Sequence, residues 1–283
     1  MFDTTEAGAV WTGTYQEYVA DAAAATPHPN CGEPFNTNDG SRYVGHKWQH
    51  YGTETWDDAL LLARNGSPAD TARMAAGMAA VAPHMTAIPV RSIRYDVAGE
   101  RPDMSRYVSG DPAHMIDRRP SSRRARPVAR FIVHCGATFN VSAEQKINRG
   151  ASILGLIDTL ETAGTRIEIE ACFHVTTHGG KTYTARIELK AADEPTSIDV
   201  LAFALVNPAF QRRLDFAMRT RCPFNISGMG MSRDLDQSKI DDAAIYFPCI
   251  TESSTWYNAN TAAATIRSTY EAALNRNQYT SAA

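Results

Sequence analysis

His134 and Cys135 stand side by side in HCGATFN (134–140), and Cys172 and His174 lie two apart in TRIEIEACFHVTT (165–177). A histidine that activates a cysteine is one route to covalent catalysis. Both runs read as strands, however, and successive strand residues point to opposite faces, so His134 cannot act on Cys135 directly. Across neighbouring strands, His134, Cys172 and His174 could converge as three zinc ligands of a metal-assisted hydrolase. The other histidines are dispersed, and His46 and His50, four apart, lack the HExxH pattern of a zinc protease. Cys135 alone reads as a small buried hydrophobe.

Phosphate chemistry finds little support. There is no GxxxxGK[ST], and GMGMSR (228–233) holds only the first two glycines of GxGxxG, with Arg233 at the third and no strand before it. Asp234, Asp236, Asp241 and Asp242 read as an acidic, solvated turn. No Gly-x-Ser-x-Gly nucleophile elbow occurs. The better candidates are Thr138, Asn140 and Ser142, which follow the first strand of an α/β unit. Open α/β sheets bind ligands just outside the carboxyl ends of their strands. Asn140 is the leading ligand contact of the three, while Ser142 also serves as a helix cap. No cofactor and no metal is expected.

The net charge of −3 conceals an asymmetry. Residues 1–60 carry nine acids and two bases, whereas 91–130 carry ten arginines and five acids. Arg118, Arg119, Arg123, Arg124 and Arg126 cluster in DRRPSSRRARPVAR, broken by Pro120 and Pro127, so the segment cannot be one helix. It reads as a linker paired with the acidic part, or as an arm that neutralises nucleic-acid phosphates. Five scattered cysteines without a CxxC exclude a disulfide scaffold. No apolar run reaches the ~20 residues of a membrane span, and MFDTTEAGAVW lacks the parts of a signal peptide. A cytoplasmic location without membrane contact is expected.

The elements that must position these residues fall into three zones. Residues 1–90 read as helical: 14–25, 53–66 with Thr53 or Thr55 as cap, and 67–83 with Ser67 as cap and Pro68 at the first turn. Residues 91–127 read as an irregular, arginine-rich connection. Residues 128–283 read as an α/β domain: a strand over 128–136, a helix from Ser142 to Gly164, strands over 165–177 and 182–190 joined at HGGK, and helices over 197–206 and 207–219. A last strand over 243–250 and a helix over 255–277 close the chain. Ser142 and Gln145 fit a capping box, and Gly164 fits a left-handed stop. The fold class is α/β, a mostly parallel sheet with one antiparallel hairpin strand.

The order over 128–190 resembles the start of a von Willebrand factor A-type domain, and more generally a Rossmann-like scaffold. In that family Asp-x-Ser-x-Ser after the first strand holds a divalent metal; Thr138 and Asn140 replace its first two positions here and only Ser142 matches. The blocks WDDALLLARNG (56–66), YDVAGERPDMSRYVSGDPAHM (95–115), FNVSAEQKINRGASILGLIDTLETAGTRIEI (139–169) and NPAFQRRLDF (207–216) resemble an uncharacterised bacteriophage-encoded family. That resemblance implies a phage setting, hence the host cytoplasm. The expected function is a non-enzymatic binding or assembly protein that recognises another protein. The alternative is a nucleic-acid-handling protein that uses the arginines of 118–130.

Overall fold

The computed structural model describes residues 2–25, 51–85, 94–99, 101–117, 128–138, 141–177, 179–224, 226, 231–251 and 254–280. Two strands, β1 (Phe2–Thr5) and β2 (Gly8–Thr14), precede helices α1 (Tyr15–Ala23), α2 (Trp56–Asn65) and α3 (Pro68–Met85). After β3 (Arg94–Asp96), β4 (Arg101–Pro102), α4 (Met104–Val108) and β5 (Met115–Asp117) come β6 (Val128–His134), α5 (Ala143–Thr162), β7 (Arg166–Thr176) and β8 (Thr182–Lys190). Then follow α6 (Ile198–Val206), a π-helical turn Phe210–Asp215, α7 (Phe216–Thr220), β9 (Met231–Ser232), β10 (Ile245–Phe247) and α8 (Ala259–Thr280). Residues 1–86 and 128–283 make one compact unit, and 87–127 a second.

The main sheet runs β1-β2-β8-β7-β6-β10, with β9 on β7. β6 is parallel to both β7 and β10, β2 is parallel to β8, and β7–β8 is the antiparallel hairpin. This is the α/β sheet that the alternation along 128–190 demands. The N-terminal strands are the correction. FDTT and GAVWTGT alternate over too few residues to stand out from the alanine-rich helix behind them. Yet Ala9 and Trp11 are buried on either side of the exposed Val10, and β2 lies along the whole of Thr182–Glu188.

Helices cover one face of the sheet. Phe131, Phe173 and Trp11 point to it, and Tyr18, Phe203 and Phe247 join them through edge or tilted ring contacts, several centred on Phe210. Helix α3 rests on the other helices. A Cβ at Gly77 would lie 2.6 Å from the Ala151 Cβ, so the α3–α5 crossing needs a glycine there. The other face is closed by the segment after β9, whose Leu235, Ile240 and Ala244 pack on Ile132 and Cys172. A doubly wound Rossmann sheet carries helices on both faces; the described α-helices of this unit lie on one. Nor does the topology identify a von Willebrand A-type order.

The second unit is a small sheet of order β3-β5-β4, where the sequence predicts irregular structure. Asp103 caps α4 by accepting from the Ser105 and Arg106 amides, and Arg106 stacks on the Tyr95 ring and pairs with Asp111.

Candidate functional site

Strand β6 is apolar because helices bury one side of it and the 231–244 segment the other. Its pairing continues past His134: the Ile250 amide donates to Gly136 O, and the Thr138 amide to Ile250 O at 3.1 Å. The chain then reaches Ser142, which caps α5. Its Oγ accepts from the Gln145 amide, and Gln145 Oε1 accepts from the Ser142 amide. The capping box of the sequence reading is therefore present. The chain goes from β6 to β7 on one side, while β10 pairs on the other. The carboxyl ends of β6 and β10 thus mark a place where the sheet order reverses, the favoured ligand site of open α/β sheets.

Cations gather there. Lys146, one turn into α5, is 4% exposed, and Arg149 is 2% exposed. Arg149 donates to Phe247 O and Pro248 O at 3.2 and 2.8 Å, so its role is to hold the end of β10. The π-helical turn adds two more polar side chains. Gln211 binds both backbone groups of Ala137, and Arg212, 5% exposed, reaches Thr138 O at 3.5 Å. Such π turns recur at functional sites because the extra residue re-aims side chains.

Lys146 differs from the other buried lysine. Lys190, 3% exposed, pairs with Glu161 at 3.0 Å and donates to Ile167 O and Ala191 O. The Lys146 side chain makes no hydrogen bond or ion pair among the described residues, and the groups that act on it are Arg212, Arg149, Cys135 and Cys249. Burial first, and the Arg212 guanidinium second, draw its ammonium down to about 7. Burial likewise draws Arg212 down to about 10. It pushes the Cys135 and Cys249 thiols up to about 12 and about 11, which keeps them neutral and poor nucleophiles.

The histidines sit elsewhere. In the β6–β7 register His134 faces Cys172, and His174 follows two residues on, so all three share the face away from the α-helices. His134 Nδ1 accepts from the Gly136 amide at 3.0 Å, which leaves the proton on Nε2. His174 Nδ1 bonds the Thr184 hydroxyl at 2.8 Å. Burial draws the two rings down to about 3 and about 4. Among the described residues there is no group of three or more His, Cys, Asp or Glu able to hold a metal.

Of the residues singled out from sequence, Thr138 and Ser142 border the cationic site, Thr138 through its carbonyl and Ser142 as the helix cap. Asn140 lies outside the described residues, as do Arg118, Arg119, Arg123, Arg124 and Arg126. Lys146, Arg149, Gln211 and Arg212 were not singled out. Their signal is present all the same: Lys146 and Arg149 occupy the stripe that Ile153, Leu156 and Leu160 continue, and buried apolar stripes seldom begin with two unpaired-looking cations.

Among the described residues no helix is long and apolar enough to cross a membrane. No curated protein and no solved structure matches the chain significantly. A family model described as a domain of unknown function (DUF7192) matches residues 14–274, a span from the cap of α1 into α8 that includes every residue of the cationic site. The chain belongs to this DUF7192 family.

Proposed function

We propose that this protein is a recognition protein that binds a small anionic ligand, a carboxylate or phosphate, between the carboxyl ends of β6 and β10 and the start of α5. The observation that carries the reading is Lys146, buried without a partner among the described residues. An isolated buried ammonium costs several kcal/mol, on the order of the penalty for taking an ion out of water, and an anion beside it offsets that cost. The positive end of the α5 dipole favours the same charge. Glu144, in that first turn, is exposed, so it is screened by solvent.

Sulfate titration tests the reading, by calorimetry and by thermal shift. Wild type should bind saturably and gain stability. Lys146→Met should weaken binding about tenfold or more, the effect of losing one charge-assisted contact of at least about 1.5 kcal/mol. Identical curves for the two proteins would remove the proposal. The phage setting rests on the four sequence blocks given above, and the genes on either side of the coding sequence test it.

A further inference from the structure

Residues 231–244 form a strap over the sheet face that the described α-helices leave open. We propose that this strap is an acid-released cover, which lifts off β6 and β7 when His134 and His174 take up protons and thereby uncovers Cys172.

The strap is lightly held. Its ladder to β7 is two residue pairs, Met231 with Thr176 and Ser232 with Val175, followed by one bond from the Arg233 amide to His174 O at 3.0 Å. Further along, Leu235, Ile240 and Ala244 pack on Ile132 and Cys172. Asp234 accepts from the Tyr246 hydroxyl and the Cys249 amide. Asp241 meets Arg130 at 3.6 Å, where both side chains are partly exposed and solvent weakens the pair. A segment with so few contacts opens as a unit, at lower cost than global unfolding.

The two histidines lie beneath it, His134 at 0% and His174 at 3% exposure. A Cβ on Gly136 would lie 2.5 Å from His134 Cε1 and 2.7 Å from Ser232 Oγ, so the start of the strap stands beside the His134 ring. His134 Nδ1 is occupied by the Gly136 amide at 3.0 Å, and a proton there would set one N–H against another. Charge on that ring is opposed by burial, by Arg149 of α5, by His174 and by Arg219 of α7; only the Arg233 backbone favours it. His174 Nδ1 bonds the Thr184 hydroxyl of β8 at 2.8 Å. Burial and Lys239 of the strap oppose its charge, while Asp236 and Asp234 of the strap favour it. Burial prevails in both, and the rings titrate at about 3 and about 4 against an ordinary 6.5. Below that ordinary value the open form binds protons that the closed form refuses, so closure loses stability as the pH falls through it.

Cys172 reports the opening. It is 0% exposed, faces His134 across the β6–β7 ladder and lies under the same apolar side chains of the strap. Cys135, next along β6, points to the opposite face and serves as the control. Full-length protein is labelled with dithiodipyridine at neutral pH and at about pH 5.5, with each cysteine followed by peptide mass spectrometry and divided by its own rate in the urea-unfolded chain. Cys172 should react about tenfold faster at the lower pH for each histidine released, while Cys135 stays protected. Hydrogen exchange should rise over 231–244 in step with Cys172. His134→Gln and His174→Gln should each remove about tenfold of the rise. An unchanged Cys172 rate overturns the proposal, and so does labelling of Cys135 in step with Cys172, which is global unfolding. Should either variant fail to fold, the wild-type ratio of Cys172 to Cys135 labelling decides alone.

Discussion

Gln211 grips Ala137 by both ends of one peptide residue: its Oε1 accepts from the Ala137 amide at 3.0 Å, and its Nε2 donates to the Ala137 carbonyl at 3.2 Å. The same Nε2 also reaches Ser232 Oγ at 3.2 Å. A side-chain amide thus extends the pairing of β6 beyond its last residue and joins the π-helical turn to the strand end that leads to Thr138. Because Ala137 is 5% exposed, water cannot replace these bonds.

Gln211→Leu should therefore be costly out of proportion to its size. It conserves bulk but leaves a buried amide and a buried carbonyl without partners, each worth about 1–3 kcal/mol. Urea denaturation should show a loss of about 2–4 kcal/mol on that basis, with partial relaxation lowering the sum. Sulfate affinity should fall as well, although the leucine touches no anion, because the loop beside Arg212 loses its anchor.

A second buried network stands apart from the cationic site. Asp215 closes the π-helical turn and pairs with Arg219 at 2.5 Å, both side chains being 0% exposed. The Tyr18 and Tyr183 hydroxyls donate to its Oδ1 at 3.1 and 2.8 Å. This carboxylate ties α1, β8 and α7 together. Asp215→Asn keeps the shape and removes the charge that compensates Arg219, and breaking a buried pair on one side costs about 3–5 kcal/mol. A midpoint shift of that size in urea is expected, while sulfate affinity in the folded protein stays unchanged. A loss below about 1 kcal/mol would mean that the pair is not buried as described, since that is what an exposed pair contributes.

How far the sequence could be read follows from which interactions are local. The cap at Ser142, the stop at Gly164 (φ 93°) and the alternation of β7 and β8 depend on neighbours along the chain, and each is visible in the residues. β1 and β2 are not, because strands of four to seven residues are specified by the partners they pair with: β1 lies on β2, and β2 on β8, some 170 residues away. The site shows the same division. Thr138 and Ser142 are found by the rule that ligands lie at strand ends. Gln211 and Arg212 are brought there by a π turn that no local pattern announces, and Lys146 gains its meaning only from its burial without a side-chain partner among the described residues. Gly150 is set by non-local packing as well: a Cβ there would lie 2.9 Å from Val206 Cγ2 and 3.2 Å from Met74 Cε, on two other helices.

The last expectation concerns pH. Lys146 has its ordinary value, 10.5, in the unfolded chain and about 7 in the folded one. Between these values the unfolded state holds the extra proton, so stability rises with pH, and the penalty for burying the charge is fully present only below about 7. From pH 7 to about 8.5 the gain should be roughly 1–2 kcal/mol, at 1.36 kcal/mol for each unit. Lys146→Met should abolish that rise. Sulfate binding must run the other way. Sulfate keeps its charge across this window, but it favours the ammonium over the amine, so wild-type affinity should fall as pH climbs past 7. The other groups that act on Lys146 do not confuse the measurement. Arg212, Cys249 and Cys135 titrate at about 10, 11 and 12 in the folded protein, beyond the window. Lys146→Arg, charged throughout, should give a flat profile. If wild type is equally flat in calorimetric titrations at pH 6.5, 7.5 and about 8.5, Lys146 is not the group that meets the anion.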